Sequence, residues 1–514
     1  MNFTTDIANL FSQRYFKSVY LQGLAFMLRV WVIAFLLLSF SSRSSAQLSG
    51  ALTIPGDYAT VSAAVTALNA AGVGAGGVSF NIAANYTETI TATISLTATG
   101  TAANTIVFQK DASTTGANPL ITAYTGGVGT PATATQDGIW RLLGSDYVTI
   151  DGIDLKENAA NTTNPSTMEY GYVLYKTAAT NGCQFVSINN CVVTLNRINN
   201  EAGTAPMVDG STGILSANST ATAATTIIAV TSSAGTNSNN SFYNNKIQNC
   251  NTGIALIGYA AASPFSLADQ NNDIGGATIA TGNSVLNFGG AAGATVAAVG
   301  IRTLAQYGLN VSYNTINNNN GSGVNHETAI RGIYINTATS AASDITNNII
   351  TLKSAATTSV ITAIENASGS TAVGNEVNIS NNTITNCTYS TATTGNFYGI
   401  YNTATAAILT VANNIFSNNS TAATATGFYY PIWNGGAVVN TISIDNNNIS
   451  GITFTAATSV PFIGIYNSGG GAAASLSISN NDISGINYSA LSTAANTYVI
   501  NSATTLSQFI SSNK

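Results

Sequence analysis

An Asn-Asn pair framed by apolar residues recurs along the second half of the chain at a nearly constant interval. It stands as Ile345-Thr-Asn-Asn-Ile-Ile350, Ile379-Ser-Asn-Asn-Thr-Ile384, Val411-Ala-Asn-Asn-Ile-Phe416, Ile444-Asp-Asn-Asn-Asn-Ile449 and Ile478-Ser-Asn-Asn-Asp-Ile483. The first Asn falls at 347, 381, 413, 446 and 480, in steps of 34, 32, 33 and 34 residues. A period of this size marks a solenoid, in which each repeat buries its apolar face only by stacking on its neighbours.

Within a repeat, Leu409 and Val411 fall on one side and Thr410 and Ala412 on the other. That is the period of two of a strand with one buried face. Carried on through the pair, the same alternation points Asn413 inward. An inward amide is costly unless paired, and identical amides stacked coil upon coil satisfy one another. The sequence therefore predicts an interior ladder of Asn347, Asn381 and Asn413. The second Asn of each pair is left to take the left-handed conformation of a bend, which Asn tolerates.

A second strand precedes each pair, as in Gly300-Ile-Arg-Thr, Gly332-Ile-Tyr-Ile, Ala363-Ile-Glu-Asn, Gly399-Ile-Tyr-Asn, Pro431-Ile-Trp-Asn and Gly464-Ile-Tyr-Asn. Each repeat thus supplies about three short strands and three bends, stacked in parallel at the ordinary ~4.8 Å between neighbouring strands. The repeats hold no long amphipathic helix, which excludes the helical solenoids. Upstream coils such as Val148–Leu155, Val186–Val193, Phe242–Ile247 and Val311–Ile316 carry the same signal with slips. Insertions near Thr162–Met168, Thr220–Asn239 and Ala260–Asp273 are expected as protruding loops.

The segment from Asp57 to Gly72 reads as one helix, with Thr60 or Asp57 at its start, Gly72 at its end, and Val61, Val65 and Leu68 along one face. It is the natural lid for the open end of a solenoid. Gly77–Ile82 and Thr105–Gln109 read as the first strands. Before this, Val30–Phe40 is a short apolar run preceded by Arg14, Lys17 and Arg29 and followed by Ser44-Ser-Ala46. It reads as a secretory signal peptide cut after Ala46, with Gln22 and Arg29 interrupting any longer span. The division is 1–46 signal peptide, 47–145 cap helix and first coils, and 146–514 repeats. No stable membrane span is expected after cleavage, and the destination is secretion or the outer cell surface.

After Ala46 the chain carries ten Lys and Arg against nineteen Asp and Glu, a formal charge of −9. Nucleic acid is excluded as a partner, because its binding rests on cationic side chains meeting phosphates. There is one His, and none of Cys183, Cys191, Cys250 and Cys387 forms a C-x-x-C pair, so zinc is excluded too. Cys250 and Cys387 each follow an Asn just past an apolar strand and read as small buried side chains in equivalent places. A disulfide between Cys183 and Cys191 stays open at this point.

The opening Thr53-Ile-Pro-Gly-Asp-Tyr58, the Ala/Val/Leu helix, Asn85-Tyr-Thr-Glu-Thr-Ile90 and the later TIDGI and NNTI coils resemble right-handed parallel β-helix proteins of the pectate-lyase-like superfamily. More narrowly, they resemble repeat-rich secreted and surface proteins of Bacteroidota. The resemblance covers nearly all of the chain after Ala46. It implies an all-β, right-handed parallel β-helix (solenoid) with an N-terminal capping helix. It is silent on activity, because the fold hosts lyases, hydrolases, esterases and pure binding proteins. Phe509-Ile-Ser-Ser-Asn-Lys514 aligns with Ser477-Ile-Ser-Asn-Asn-Asp482 and stops before the next inward residue, so the chain is expected to be a fragment of a longer protein.

Reading the residue after the Ile of each Gly-Ile motif gives an outward column: Trp140, Leu215, Ala255, Arg302, Tyr334, Glu365, Tyr401, Trp433 and Tyr466. Aromatic faces stack on sugar rings, and Arg and Glu bond sugar hydroxyls or carboxylates. Arg302, Tyr334, Glu365, Tyr401, Trp433 and Tyr466 are therefore the candidate carbohydrate-binding residues. The plainer alternative is that the rings stack on one another for stability. Arg302 and Glu365 would lie two coils apart, roughly 10 Å by strand spacing, with Tyr334 between them and Arg331, His326 and Glu327 alongside. Acid–base chemistry there needs tuned groups within hydrogen-bond reach.

No residue is assigned as catalytic or as a metal ligand, and no cofactor is expected. Carboxylates can hold calcium, but no motif supports it, and Asp146, Asp151, Asp154 and Glu157 read as a solvated acidic face. The Gly-His-Gly and Arg-Ile-Lys of polygalacturonase-like enzymes are missing, as is the Gly-x-x-Asp-Phe of pectin-esterase-like ones. The sequence thus favours an exported structural or adhesive module that contacts polysaccharide. The rival is a polysaccharide lyase or glycoside hydrolase with a shallow cleft near Arg302 to Glu365.

Overall fold

In a computed structural model of the chain, every coil runs through three strands. For one coil these are Ser343–Thr346, Ile349–Thr351 and Ile361–Asn366. Each strand pairs in parallel with its counterpart one coil on: Ile345 with Ile379, Ile350 with Ile384, and Ile364 with Ile400. Among the described residues this builds a 14-stranded first sheet, a 12-stranded second sheet and a 14-stranded third sheet. The result is a parallel β-helix over Leu48–Lys514. The structure describes residues 46–514 except 128, 291–294, 321–325, 337, 339–341, 425, 471–472, 492–496 and 504–506, together with 26, 27 and 29. The signal-peptide reading lies almost wholly outside the described residues. No helix among them is long and apolar enough to cross a membrane.

The interior is made by like residues meeting like. Ile345, Ile379, Val411, Ile444 and Ile478 form one buried column of the first sheet. In the first coils aromatic rings fill the same space. Phe80 stacks on Phe108 at 4.7 Å, Phe108 meets Trp140 at 5.3 Å, and Trp140 meets Tyr172 at 6.0 Å.

The Asn pair works in the opposite sense to the sequence expectation. Asn347, Asn381, Asn413, Asn446 and Asn480 take the left-handed conformation, with φ between 57° and 59°. Asn348, Asn382, Asn414, Asn447 and Asn481 are the buried ones. The cause is the bend itself. A residue at positive φ turns the chain without occupying a strand position, so the inward phase is delayed by one residue. The second Asn therefore builds the ladder. Asn382 Nδ2 donates to Asn414 Oδ1 at 3.1 Å and to Ile345 O at 2.8 Å. Its Oδ1 accepts Asn348 Nδ2 at 2.9 Å and the Asn348 amide at 3.0 Å. The same pattern runs unbroken from Asn245 through Asn283, Asn314, Asn348, Asn382, Asn414, Asn447 and Asn481 to Asn513. A second ladder that the sequence reading missed joins Asn366, Asn402, Asn434 and Asn467 at 2.7–2.8 Å.

Helix α1 (Val61–Ala71) begins at Thr60, whose side chain accepts the Ala63 amide, and ends at Gly72 with φ 74°. It buries Val61, Ala64, Val65 and Leu68. Glu88 Oε2 accepts the Val61 amide at 2.9 Å, placing an anion on the positive end of the helix. The first sheet starts one strand earlier than the sequence reading had it, with Leu48–Ile54 paired to Val73–Ile82. The four cysteines are all free and buried. Cys250 and Cys387 do occupy equivalent corners, each following a left-handed Asn (Asn249 and Asn386).

The insertions are partly folded back onto the solenoid, although residues such as Ile227 and Ala262–Pro264 stay exposed. Met168 enters the main core, and Ala224 packs with Met207 and Val208 over the outward face of the second sheet. Ala261, Phe265 and Ala268 form a small apolar cluster of their own. Of the residues read as a solvated acidic face, Asp146 and Asp154 are half-buried, Glu157 is buried, and all three are engaged by backbone amides. Asp146 accepts the Gln184 amide at 2.7 Å, Asp154 the Val192 amide at 2.8 Å, and Glu157 the Met168 amide at 2.9 Å. Burial pushes all three carboxyls above their ordinary range.

Candidate functional site

The second sheet carries the column of candidate residues, and its register decides who belongs to it. Arg302 pairs with Tyr334, Tyr334 with Glu365, Glu365 with Tyr401, Tyr401 with Trp433, and Trp433 with Tyr466. All six predicted residues are therefore brought together on one line along the helix axis. Trp140 is not part of it. It pairs with Tyr172 and is fully buried in the core, and Arg141 takes the outward position in that coil. Leu215 and Ala255 are in the column but covered, both at 0% exposure, under the Met207–Val208 and Ala224 segments. The outward face is thus closed in the first half of the solenoid and uncovered in the second.

A second column stands beside the first, and sequence reasoning missed it. It runs Val299, Arg331, Thr362, Tyr398, Tyr430, Ile463 and Tyr498. Strict alternation would place only every other residue outside. The position before Ile, a Gly in most coils but Ala363 and Pro431 in two, breaks that alternation, so the residue before it and the residue after Ile both face outward. At Gly332 the next coil is close. A Cβ on Gly332 would stand 2.5 Å from Ala363 O and 2.8 Å from Ile350 Cγ2. The signal was present in Phe397-Tyr-Gly-Ile-Tyr401, where a Tyr flanks the Gly-Ile unit on each side.

The two columns give one aromatic surface of Tyr398, Tyr401, Tyr430, Trp433 and Tyr466, edged by Phe428 and Ile463. Its rings lie largely face to face. Tyr398 and Tyr401 stack at 4.6 Å, Tyr401 and Trp433 at 4.6 Å, Trp433 and Tyr466 at 5.5 Å, and Tyr398 and Tyr430 at 5.7 Å. The 4.8 Å coil spacing permits this, and each such pair adds about 0.5–1.5 kcal/mol beyond its buried area. Mutual stacking for stability is therefore present. What stays open to a ligand is the row of ring edges. Tyr401, Trp433 and Tyr466 are half-buried, while Tyr398 and Tyr430 are almost covered. The indole Nε1 of Trp433 donates to Ser468 Oγ at 2.8 Å, which fixes the largest ring.

At the N-terminal end of this surface lies a charged group. Arg331 Nε donates to Glu365 Oε2 at 2.5 Å, with the side chains 22% and 11% exposed, and the Arg331 guanidinium sits 4.5 Å over the Tyr334 ring. Glu365 is thus engaged, as a structural ion pair, by the residue that sequence reasoning had placed only alongside. Arg302 is half-buried, its Nε has no hydrogen-bond partner, and burial pulls its ionisation below the ordinary range. His326 does not join the group. It is fully buried, its Nε2 meets Thr328 Oγ1 at 2.6 Å, and desolvation lowers its pKa to about 4, so it is neutral at pH 7. The arrangement can hold and orient a ligand. Among the described residues no group of three or more His, Cys, Asp or Glu side chains is placed to hold a metal ion.

The outward face of the first sheet bears a polar groove of about 460 Å³, lined by Asn310, Asp344, Glu376, Asn378 and Thr410. Asn310, Asp344, Asn378 and Thr410 share one register line. Asn378 Nδ2 donates to Asp344 Oδ1 at 3.0 Å. No sequence motif pointed to it.

No protein-family model matches the chain, and no curated protein matches it. Solved structures do align with it. One is a GH136 lacto-N-biosidase from Eubacterium ramulus, at 12% identity and TM-score 0.41, covering 85% of this chain and 64% of that one. Another is the periplasmic alginate epimerase AlgG, at 9% identity and TM-score 0.34, covering 91% and 84%. A third is the catalytic domain of a GH87 α-1,3-glucanase, at 12% identity and TM-score 0.38, covering 91% and 70%. The chain spans just under two thirds of the lacto-N-biosidase. At such scores and identities these likenesses assign no chemistry to this chain.

Proposed function

We propose that the protein is an exported β-helix that serves as a structural or adhesive module and contacts polysaccharide along the uncovered half of its second sheet. One observation carries the reading. The outward face is sealed by inserted segments over Leu215 and Ala255, yet further along it is left bare where it bears Tyr401, Trp433 and Tyr466. An extended glycan can lie along the helix axis. Its hydroxyl oxygens would meet the electropositive ring edges and the Tyr hydroxyls, and further hydroxyls the Arg302 and Arg331 end.

Retention on immobilised neutral and acidic glycans tests this. The Tyr401→Ala/Trp433→Ala pair should lower affinity at least tenfold, about 1.4 kcal/mol, with circular dichroism unchanged. Equal retention of the variant, or no retention on any glycan, would overturn the assignment. Release of new reducing ends or unsaturated sugars would instead favour the lyase or hydrolase reading. Such an enzyme would have to work with Glu365 already paired to Arg331.

A further inference from the structure

Among the described residues, one fully buried ion pair lies where the inserted segments cross the solenoid. Lys176 follows the strand Tyr170–Tyr175, and Asp269 lies two coils on, after the strand Thr252–Ile257. Both side chains are 0% exposed, and Lys176 Nζ stands 3.3 Å from Asp269 Oδ1. Nζ also donates to Gly235 O at 2.8 Å. Oδ1 accepts the backbone N–H of Asn237 at 2.9 Å. Oδ2 has no hydrogen-bond partner. Gly258 presses against the carboxyl, where a Cβ would stand 3.1 Å from Cγ.

Asp269 occupies a ladder position. The Cys183 amide bonds Asn237 Oδ1 at 2.8 Å, and the Asn237 amide bonds Asp269 Oδ1 in the same way. An Asn would accept that bond as well, without the desolvation of a carboxylate and an ammonium. The two charges therefore call for an explanation beyond ladder geometry.

We propose that Lys176 and Asp269 condense into an isopeptide cross-link between the coils. The groups are held in contact in a dry site, which removes the usual cost of bringing an amine to a carboxyl. Burial pushes the Asp269 carboxyl upward, favouring the neutral acid that can be attacked. One proton passes from the ammonium to Oδ2, leaving a neutral amine and a carboxylic acid. The Nζ lone pair then attacks Cγ, and negative charge gathers on Oδ1, where the Asn237 N–H is already aimed. A second proton moves from nitrogen to Oδ2, the Cγ–Oδ2 bond breaks, and one water leaves. The new amide keeps every existing contact, with its N–H on Gly235 O and its oxygen on the Asn237 amide. The one atom of the group without a partner, Oδ2, is the atom that departs.

Tryptic digestion of the folded full chain, followed by mass spectrometry, decides the matter. Modified Lys176 resists trypsin. The expected product is a branched peptide joining residues 157–197 to residues 247–302, lighter by one water than the two together. Lys176→Arg should abolish it. Asp269→Asn should restore it with loss of one ammonia instead. If the wild-type digest consists mainly of a linear peptide ending at Lys176 and an unmodified 247–302 peptide, the proposal is wrong. That readout needs no variant to fold, and it is independent of any glycan contact.

Discussion

Adjacent Asn residues of one pair should respond to mutation in opposite ways, and the pair at Asn381 and Asn382 makes the contrast measurable. Asn382→Ala deletes five side-chain hydrogen bonds: two accepted from Asn348, and one each given to Ile345 O, Ser380 O and Asn414 Oδ1. At about 1 kcal/mol net for each, the loss is about 5 kcal/mol. Asn348 is itself fully buried, so its stranded amide and Nδ2 raise the figure rather than lower it. Asn381 is exposed at φ 59°, so Asn381→Gly should change stability by a few tenths of a kcal/mol at most. Asn381→Ala should cost about 1–2 kcal/mol for a Cβ in the left-handed region. Asn382→Asp adds a pH test. The variant carboxyl can accept from Asn348, but once ionised it cannot donate to Ile345 O or Asn414 Oδ1. Burial raises its folded pKa above the unfolded value of about 3.9, so the variant is most stable below that pH and loses stability as pH rises. A stacked array need not unfold in one step, so the measurement is amide exchange at Asn348 and Asn382 beside the urea midpoint. If Asn381→Gly destabilises as much as Asn382→Ala, the ladder has been assigned to the wrong residue.

Other parts of the molecule give independent checks. Glu169 is buried beside Asp137 and Glu157, and burial, its largest cause, lifts its pKa to about 8. Its folded pKa lies above the unfolded value, so stability should fall as pH rises from about 4.5 to 8. Glu169→Gln should flatten that fall, read as urea midpoints across the range. Burial pushes the thiols of Cys183, Cys191, Cys250 and Cys387 up to about 12. All four should resist a thiol reagent at pH 8 and react together on unfolding, and labelling of any one in the native protein would contradict its burial. Thr60→Ala removes the N-cap of α1 and should cost about 1 kcal/mol, seen as faster amide exchange in Val61–Ala71 than in the neighbouring strands.

What could and could not be read from the sequence has one physical cause. Stacking demands that like residues meet, so the 32–34-residue period, the buried Ile columns and the alignment of Arg302 through Tyr466 were all legible. A column needs only a repeat. Facing was legible only where the backbone stays in the β region. Each misplacement follows a break in it. The left-handed residue at Asn347 shifts the inward phase by one and moves the ladder to Asn348. The Gly before Ile400 shifts it again and turns Tyr398 outward beside Tyr401. Trp140 was misread one position off the same motif, where Ile139 stands in place of the Gly. The covered state of Leu215 and Ala255 was illegible for a different reason. The segments over them lie outside the repeat, so no period reports where they pack. The corrected rule still yields positions. With one phase shift at each left-handed Asn, and one at the residue before Ile (Gly399, Pro431 or Gly464), Asn402, Asn434 and Asn467 fall inward from the bare motif Ile-Tyr/Trp-Asn, where the structure forms its second ladder. A charge placed in that column, as in Asn434→Asp, should therefore be worse tolerated than one at Tyr466, although Tyr466 is the larger and more apolar residue.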